Sequence, residues 1–180
     1  MEQHRAPEDD LRMPYDAKKA DFLTKLHALT IVSAEYQTHD YYMNVGPLFS
    51  DSVARQLYAE IASVEEQHVT QYESMLDPNE SWIEQWVLHE ANECYNYYSC
   101  VEQETNHHVR AIRERFLDYE LGHFHTACAA LKTVEKRDPA EIITADFASP
   151  LEFRSQRAFV RKVLANEVDL RTDGPQGEMQ

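Results

Sequence analysis

Two Glu-x-x-His motifs carry the chemistry this chain could do: Glu65-Glu66-Gln67-His68 and Glu120-Leu121-Gly122-His123. On a helix, residues three apart share a face, so within each motif a carboxylate and an imidazole can hold one metal ion together. Composition alone supplies about one such motif in a chain with 20 glutamates and 9 histidines, and a third copy occurs at Glu104 and His107. Spacing separates signal from chance. Glu35 lies 30 residues before Glu65 and Glu90 lies 30 before Glu120, with midpoints at residues 50 and 105. If each midpoint is a turn, the two glutamates of a pair stand about 15 residues, roughly 22 Å, from it and face each other at equal height. The copy at Glu104 and His107 sits on a turn and fails this test. Each hairpin therefore offers one Glu plus one Glu-x-x-His. Such carboxylates and imidazoles suit iron or manganese, can bridge two cations, and leave positions open for dioxygen or peroxide.

The elements that must position these residues are legible from apolar periodicity and breakers. Leu23, Leu26, Ala28, Leu29, Ile31 and Val32 predict a first helix from about Asp16 to Tyr42, broken by Asn44-Val45-Gly46-Pro47. Ser50 or Asp51 can cap a second helix to about Met75, stopped by Asp77-Pro78. Ser81 and Glu84 form a capping-box pattern ahead of a third helix through Trp86, Val87, Tyr97 and Val101. After a polar break at residues 104–106, Ile112, Phe116, Leu117, Leu121, Phe124 and Leu131 mark a fourth helix that ends at Asp138-Pro139. Ser149-Pro150 should open a shorter fifth helix to about Asn166. The expected fold is all-α: a four-helix bundle with an additional C-terminal helix. The expected organisation is a flexible leader (1–14), the bundle (15–138), a linker with the C-terminal helix (139–168) and a flexible tail (169–180).

Composition agrees with helices, since 180 residues contain only 4 Gly and 7 Pro. A formal charge of −15, from 32 acidic against 17 basic residues, argues against nucleic-acid and anionic-membrane partners. No apolar run approaches a bilayer span and residues 1–14 contain no apolar signal core, so a soluble cytoplasmic protein is expected. Cys94, Cys100 and Cys128 form no CxxC pair and read as buried, reduced thiols. Phosphate-binding glycine loops, nucleophile elbows and Cys/His nucleophile patterns do not occur.

With its paired glutamates and Glu-x-x-His motifs, the chain resembles the ferritin-like superfamily and, within it, the rubrerythrins. Over residues 16–137 it also shows that family's Glu-x-x-Glu pattern at Glu90-Ala91-Asn92-Glu93 and tyrosines at the matching places, Tyr42 and Tyr98. The resemblance implies two iron ions, with dimanganese or mixed iron–manganese as alternatives, held by Glu35, Glu65, His68, Glu90, Glu93, Glu120 and His123. It implies reduction of hydrogen peroxide, with Glu93 as a mobile carboxylate and Tyr42 and Tyr98 near the metals. A ferritin-like ferroxidase using dioxygen, or a catalase-like dimanganese enzyme, uses the same kind of ligand set. The two CxxC pairs of a rubredoxin module are missing, which leaves the electron donor unidentified.

Only about five residues, Asp77 to Ser81, separate the second and third predicted helices, a reach of at most ~17 Å. A ferritin-type return along the bundle needs roughly 30 Å. The expectation is therefore a homodimer in which the first hairpin of one chain completes a bundle with the second hairpin of the other. An up-down-up-down monomer is the other topology this linker allows.

Overall fold

The computed structural model describes residues 11–147 and 149–167. Its elements are α1 (Phe22–Val45), α2 (Ser52–Glu73), α3 (Trp82–Gln103), α4 (His107–Ala130) and α5 (Arg157–Glu167), so the fold is an all-α bundle with an extra C-terminal helix. Each of the first four helices starts where a side-chain oxygen takes over an orphan backbone N–H. Asp21 accepts from Thr24 N at 2.7 Å, Asp51 from Val53 N at 3.0 Å, Ser81 from Glu84 N at 3.0 Å, and Asn106 from His108 N at 3.0 Å.

Several boundaries depart from the sequence expectation for local reasons. Residues 17–20 form a turn rather than the start of α1, because Asp16 takes the Lys18 N–H and Asp21 supplies the cap. The Ser81–Glu84 pattern is half a capping box: the Glu84 carboxylate turns instead to Arg137, 2.7 Å away. Helix α4 ends at Ala130, followed by a wider five-residue turn, Leu131–Glu135, that Lys136 terminates in the left-handed conformation. The fifth helix begins at Arg157, not at Ser149-Pro150, because residues 149–153 lie extended along α3. There Tyr95 Oη donates to Ser149 O, Leu151 N to Ser99 Oγ, and Phe153 N to Gln103. The expected leader is fastened where it is described, with Arg12 N donating to Ser74 Oγ and Tyr15 N to Met75 O; residues 1–10 and 168–180 lie outside the described residues.

Helices α1 and α2 pack as one antiparallel hairpin and α3 and α4 as a second. Gly46 permits the tight first turn, since a Cβ there would stand 2.8 Å from Tyr58 Cβ. The hairpins join through α1 and α3, which run side by side in the same direction: Lys25 meets Glu80 and Glu84, and further along Thr30 meets the fully buried Asn92. The chain thus goes up, down, up, down. Phe22, Leu26, Leu88, Ala91, Tyr95, Ala127 and Leu131 form the core at this junction. No packed seam joins α2 to α4. No helix among the described residues is long and apolar enough to cross a membrane.

Beneath the core lies a cavity of about 1070 Å³ walled by charged side chains, Lys25, Asp77, Glu80, Glu84 and Arg137 among them. Lys25 is buried, 3.3 Å from Glu80 and 4.0 Å from Glu84, and its ammonium sits 5.9 Å from the Tyr15 ring centroid. Tyr15 Oη donates to Glu80 at 2.9 Å. Burial outweighs these partners and holds the Glu80 carboxyl above the usual range.

Candidate metal centre

Each hairpin brings three ligand-type side chains together. Glu35 of α1 meets Glu65 and His68 of α2; Glu90 of α3 meets Glu120 and His123 of α4; within each triad the candidate donor atoms lie within 4.8 Å of one another. Because α1 and α2 are antiparallel about a turn at 46–51, residues equally far from the turn come level, and the same holds for α3 and α4 about residues 104–106. In the first triad His68 Nδ1 is 3.0 Å from Glu65 and 3.3 Å from Glu35; in the second His123 Nδ1 is 2.9 Å from Glu120 and 3.9 Å from Glu90.

The carboxylates are recessed between the helices while the imidazoles look outward. Side-chain exposure is 10–20% for the four glutamates but 40% for His68 and 61% for His123. Burial, with the Glu65 carboxylate alongside, raises the Glu35 carboxyl above its ordinary range, partly opposed by His68. His123 is held above the ordinary imidazole value by its hydrogen bond with Glu120. Two carboxylates sharing one imaginable proton or cation in a half-buried crevice are costly to keep ionised without a positive partner.

The donor sets fit a divalent cation. Octahedral ligands at about 2.1 Å stand roughly 3.0 Å apart when adjacent, close to three of the four His-to-Glu distances. Two carboxylates and one imidazole form a mixed hard-donor set suited to iron and manganese. The fourth contact, His123 to Glu90 at 3.9 Å, is longer because Glu90 is engaged elsewhere: Trp86 Nε1 donates to its Oε1 at 2.7 Å. Trp86, which the sequence marks only as an apolar position of the third helix, orients a candidate ligand. The available signal was its position four residues before Glu90, on the same helical face.

Other residues named from the sequence stand apart from the triads. Glu93 is half-buried one turn along α3 from Glu90, and its carboxyl is raised by burial, with His89 opposing and the Glu120 and Glu90 charges adding to the rise. It lines an 810 Å³ cleft between α1 and α3 with Tyr97, Cys100 and Arg113. Tyr42 belongs to an aromatic group near the first turn, 5.4 Å from Tyr41 and 5.2 Å from Tyr58 between ring centroids. Tyr98 is half-buried against the core. Of the cysteines, Cys94 is buried as expected, Cys128 is partly so, and Cys100 is exposed, because it falls on the solvent side of α3 near its end.

Fold and site together define an all-helical bundle with two acidic/His clusters, consistent with a ferritin-like di-metal site and with oxidoreductase chemistry. Comparison with protein-family models, curated proteins and solved structures finds no match to this chain.

Proposed function

We propose that this protein is a non-haem di-iron oxidoreductase of rubrerythrin-like type that reduces hydrogen peroxide, acting as a cytoplasmic homodimer with a separate electron donor. The observation that supports it most is the recurrence of one ligand triad, Glu plus Glu-x-x-His, at matching places in two hairpins. Bound divalent iron would supply the electrons and the Lewis acidity for cleaving an O–O bond.

The chain's own residues would do the rest. Glu35, Glu65 and His68 would hold one cation and Glu90, Glu120 and His123 the other, each imidazole binding through an unprotonated ring nitrogen. Trp86 fixes Glu90 through its indole N–H, leaving the second carboxylate oxygen for metal. Glu93, whose carboxyl burial raises above its ordinary range and which lines the cleft between α1 and α3, would act as the mobile carboxylate and as a proton donor in peroxide reduction. Tyr42, in the aromatic group at the first turn, and Tyr98, against the core, are assigned to electron or proton transfer at a distance from the triads.

The test is anaerobic loading with ferrous iron followed by stoichiometric peroxide or air-saturated buffer, with ferric absorbance recorded by stopped flow. Oxidation at least tenfold faster with peroxide supports peroxide reduction. Faster oxidation by dioxygen, with ferric iron accumulating beyond two ions per chain, would instead assign a ferroxidase.

A further inference from the structure

The cleft between α1 and α3 is larger than peroxide chemistry requires. Its 810 Å³ falls within the roughly 300–1,000 Å³ of pockets that hold organic ligands. A water molecule's share of the liquid is only about 30 Å³, so dioxygen or peroxide, a few atoms each, leaves most of this space to something else. Thr30, Ser33 and Gln37 of α1 form one wall and Glu93, Asn96 and Tyr97 of α3 the other. Arg113 of α4 and the extended segment 151–153 complete the lining.

Arg113 is the unusual member. Two arginines among the described residues are half-buried, Arg113 and Arg137. Arg137 is surrounded by carboxylates, with Glu84 at 2.7 Å and Glu135 and Glu141 at 3.4 Å. Even the exposed Arg110 of α4 pairs with Glu114 at 3.2 Å. Arg113 makes no ion pair and no hydrogen bond among the described residues. In a chain with 32 acidic against 17 basic residues, carboxylates are in ample supply, yet none has been placed on this guanidinium. Its N–H donors are left for an anion from outside.

The surroundings define what that anion is. Tyr97 and Arg113 stand level because α3 and α4 are antiparallel and each residue is about eight positions from the turn at 104–106. Burial, with the Glu93 and Glu120 charges, holds the Tyr97 hydroxyl above its ordinary range and Arg113 opposes the rise, which sets the guanidinium near that ring. Phe116 braces the Tyr97 ring edge-on, centroids 5.6 Å apart. Ser33 and Asn96, half-buried on opposite walls, and Gln37 make no side-chain hydrogen bond among the described residues, so each is free to meet a polar group. Leu151 and Phe153 add apolar surface.

We propose that this cleft is a binding site for a small organic monocarboxylate, whose carboxylate pairs with Arg113, whose polar substituents meet Ser33, Gln37 and Asn96, and whose carbon skeleton lies against Tyr97. One carboxylate matches one guanidinium through two parallel N–H···O bonds. A phosphate ester, with up to two negative charges, fits less well, because Glu93, Glu104 and Glu152 line the same cleft and no second cation joins Arg113 there. Glu93 is four residues from Tyr97 and three from Glu90, so it connects the cleft to the second triad and the bound molecule lies beside that triad. None of the six triad residues is used, and the site stands or falls independently of metal binding.

The test is calorimetric titration of the purified, metal-free protein with 4-hydroxybenzoate and hexanoate, with neutral 4-hydroxybenzamide and with inorganic phosphate. The proposal expects one site per chain for at least one of the carboxylates, with the amide and phosphate at least tenfold weaker. Arg113→Gln should weaken carboxylate binding about 10–100-fold, the range of a hydrogen-bonded charge, and Arg113→Lys, which keeps the charge without the fork, by less. Cys100 lines the same cleft with an exposed thiol, so saturating carboxylate should slow its labelling by a thiol reagent at least threefold. Circular dichroism checks that Arg113→Gln keeps its helices; if it does not, the amide comparison and the protection of Cys100 in the wild type decide the matter. No binding of either carboxylate, equal binding of the amide, tighter binding of phosphate, undiminished affinity in a folded Arg113→Gln, or binding that leaves Cys100 unprotected would each overturn the proposal. All of these results are obtained without metal, so they leave the triads untouched, just as a failure of the triads to bind iron would leave the cleft untouched.

Discussion

Replacing Lys25 by Met should cost the metal-free fold about 3 kcal/mol. The Lys25 ammonium is almost fully enclosed, 3.3 Å from a Glu80 carboxylate that is itself 1% exposed and 4.0 Å from Glu84. At an effective dielectric near 20, charges that close attract with a gross energy of about 5 kcal/mol, and removing one member of a buried pair typically costs about 3–5 kcal/mol because the other charge stays desolvated. The lower end applies here, since Glu80 keeps the Tyr15 hydroxyl at 2.9 Å and Glu84 keeps Arg137 at 2.7 Å. The assay is equilibrium urea unfolding of the metal-free protein, wild type against Lys25→Met, Glu80→Gln and the double variant. The double variant should recover at least ~1.5 kcal/mol of the summed single losses, a coupling expected of groups in contact. The pH dependence has a definite sign. Glu80 is held above its unfolded value, so its proton favours the folded state below that value and the benefit is lost as pH rises through the folded pKa. Without Lys25 that folded value rises further, so the deficit of the variant should shrink between pH 7 and pH 5. Additive single losses, or a deficit that grows on acidification, would refute the assignment of Lys25 as the cation holding α1 to α3.

Gly46→Ala should destabilise by about 1–3 kcal/mol in urea, because the added methyl meets the Tyr58 Cβ and the α1–α2 turn must open. Trp86→Phe removes the indole donor to Glu90 and should weaken metal binding at the second triad by about 10–100-fold in a calorimetric titration, leaving the first triad unchanged. At pH 8 a thiol reagent should label exposed Cys100 in the native protein and reach Cys94 only on unfolding, since burial pushes the Cys94 thiol up to about 12. As that folded value lies above the unfolded one, Cys94 should make the fold progressively less stable as pH rises above about 9.

The hairpins and their triads were legible in the sequence because antiparallel helices obey simple arithmetic: a 30-residue separation about a turn brings Glu35 level with Glu65 and Glu90 level with Glu120. Asp51 and Ser81 were legible as caps because capping needs only a local oxygen. What the sequence could not show depends on long-range partners. Glu84 leaves its capping role for Arg137, 53 residues away, and the segment after Pro150 stays extended because Ser99 and Gln103 bind its backbone. The register between the hairpins was equally hidden, since it is set by which turn of α1 meets which turn of α3, fixed by Leu26, Ala91 and Asn92 at the core.

Metal stoichiometry is decisive for the rest. Anaerobic titration of the purified chain with ferrous iron should saturate at two ions per chain, one for each triad, and should fall to one when either Glu35 with His68 or Glu120 with His123 is replaced by alanine. Saturation that is unchanged by both double substitutions, or no binding above a chain with neither triad, would contradict the assignment of these six residues as the metal-binding core.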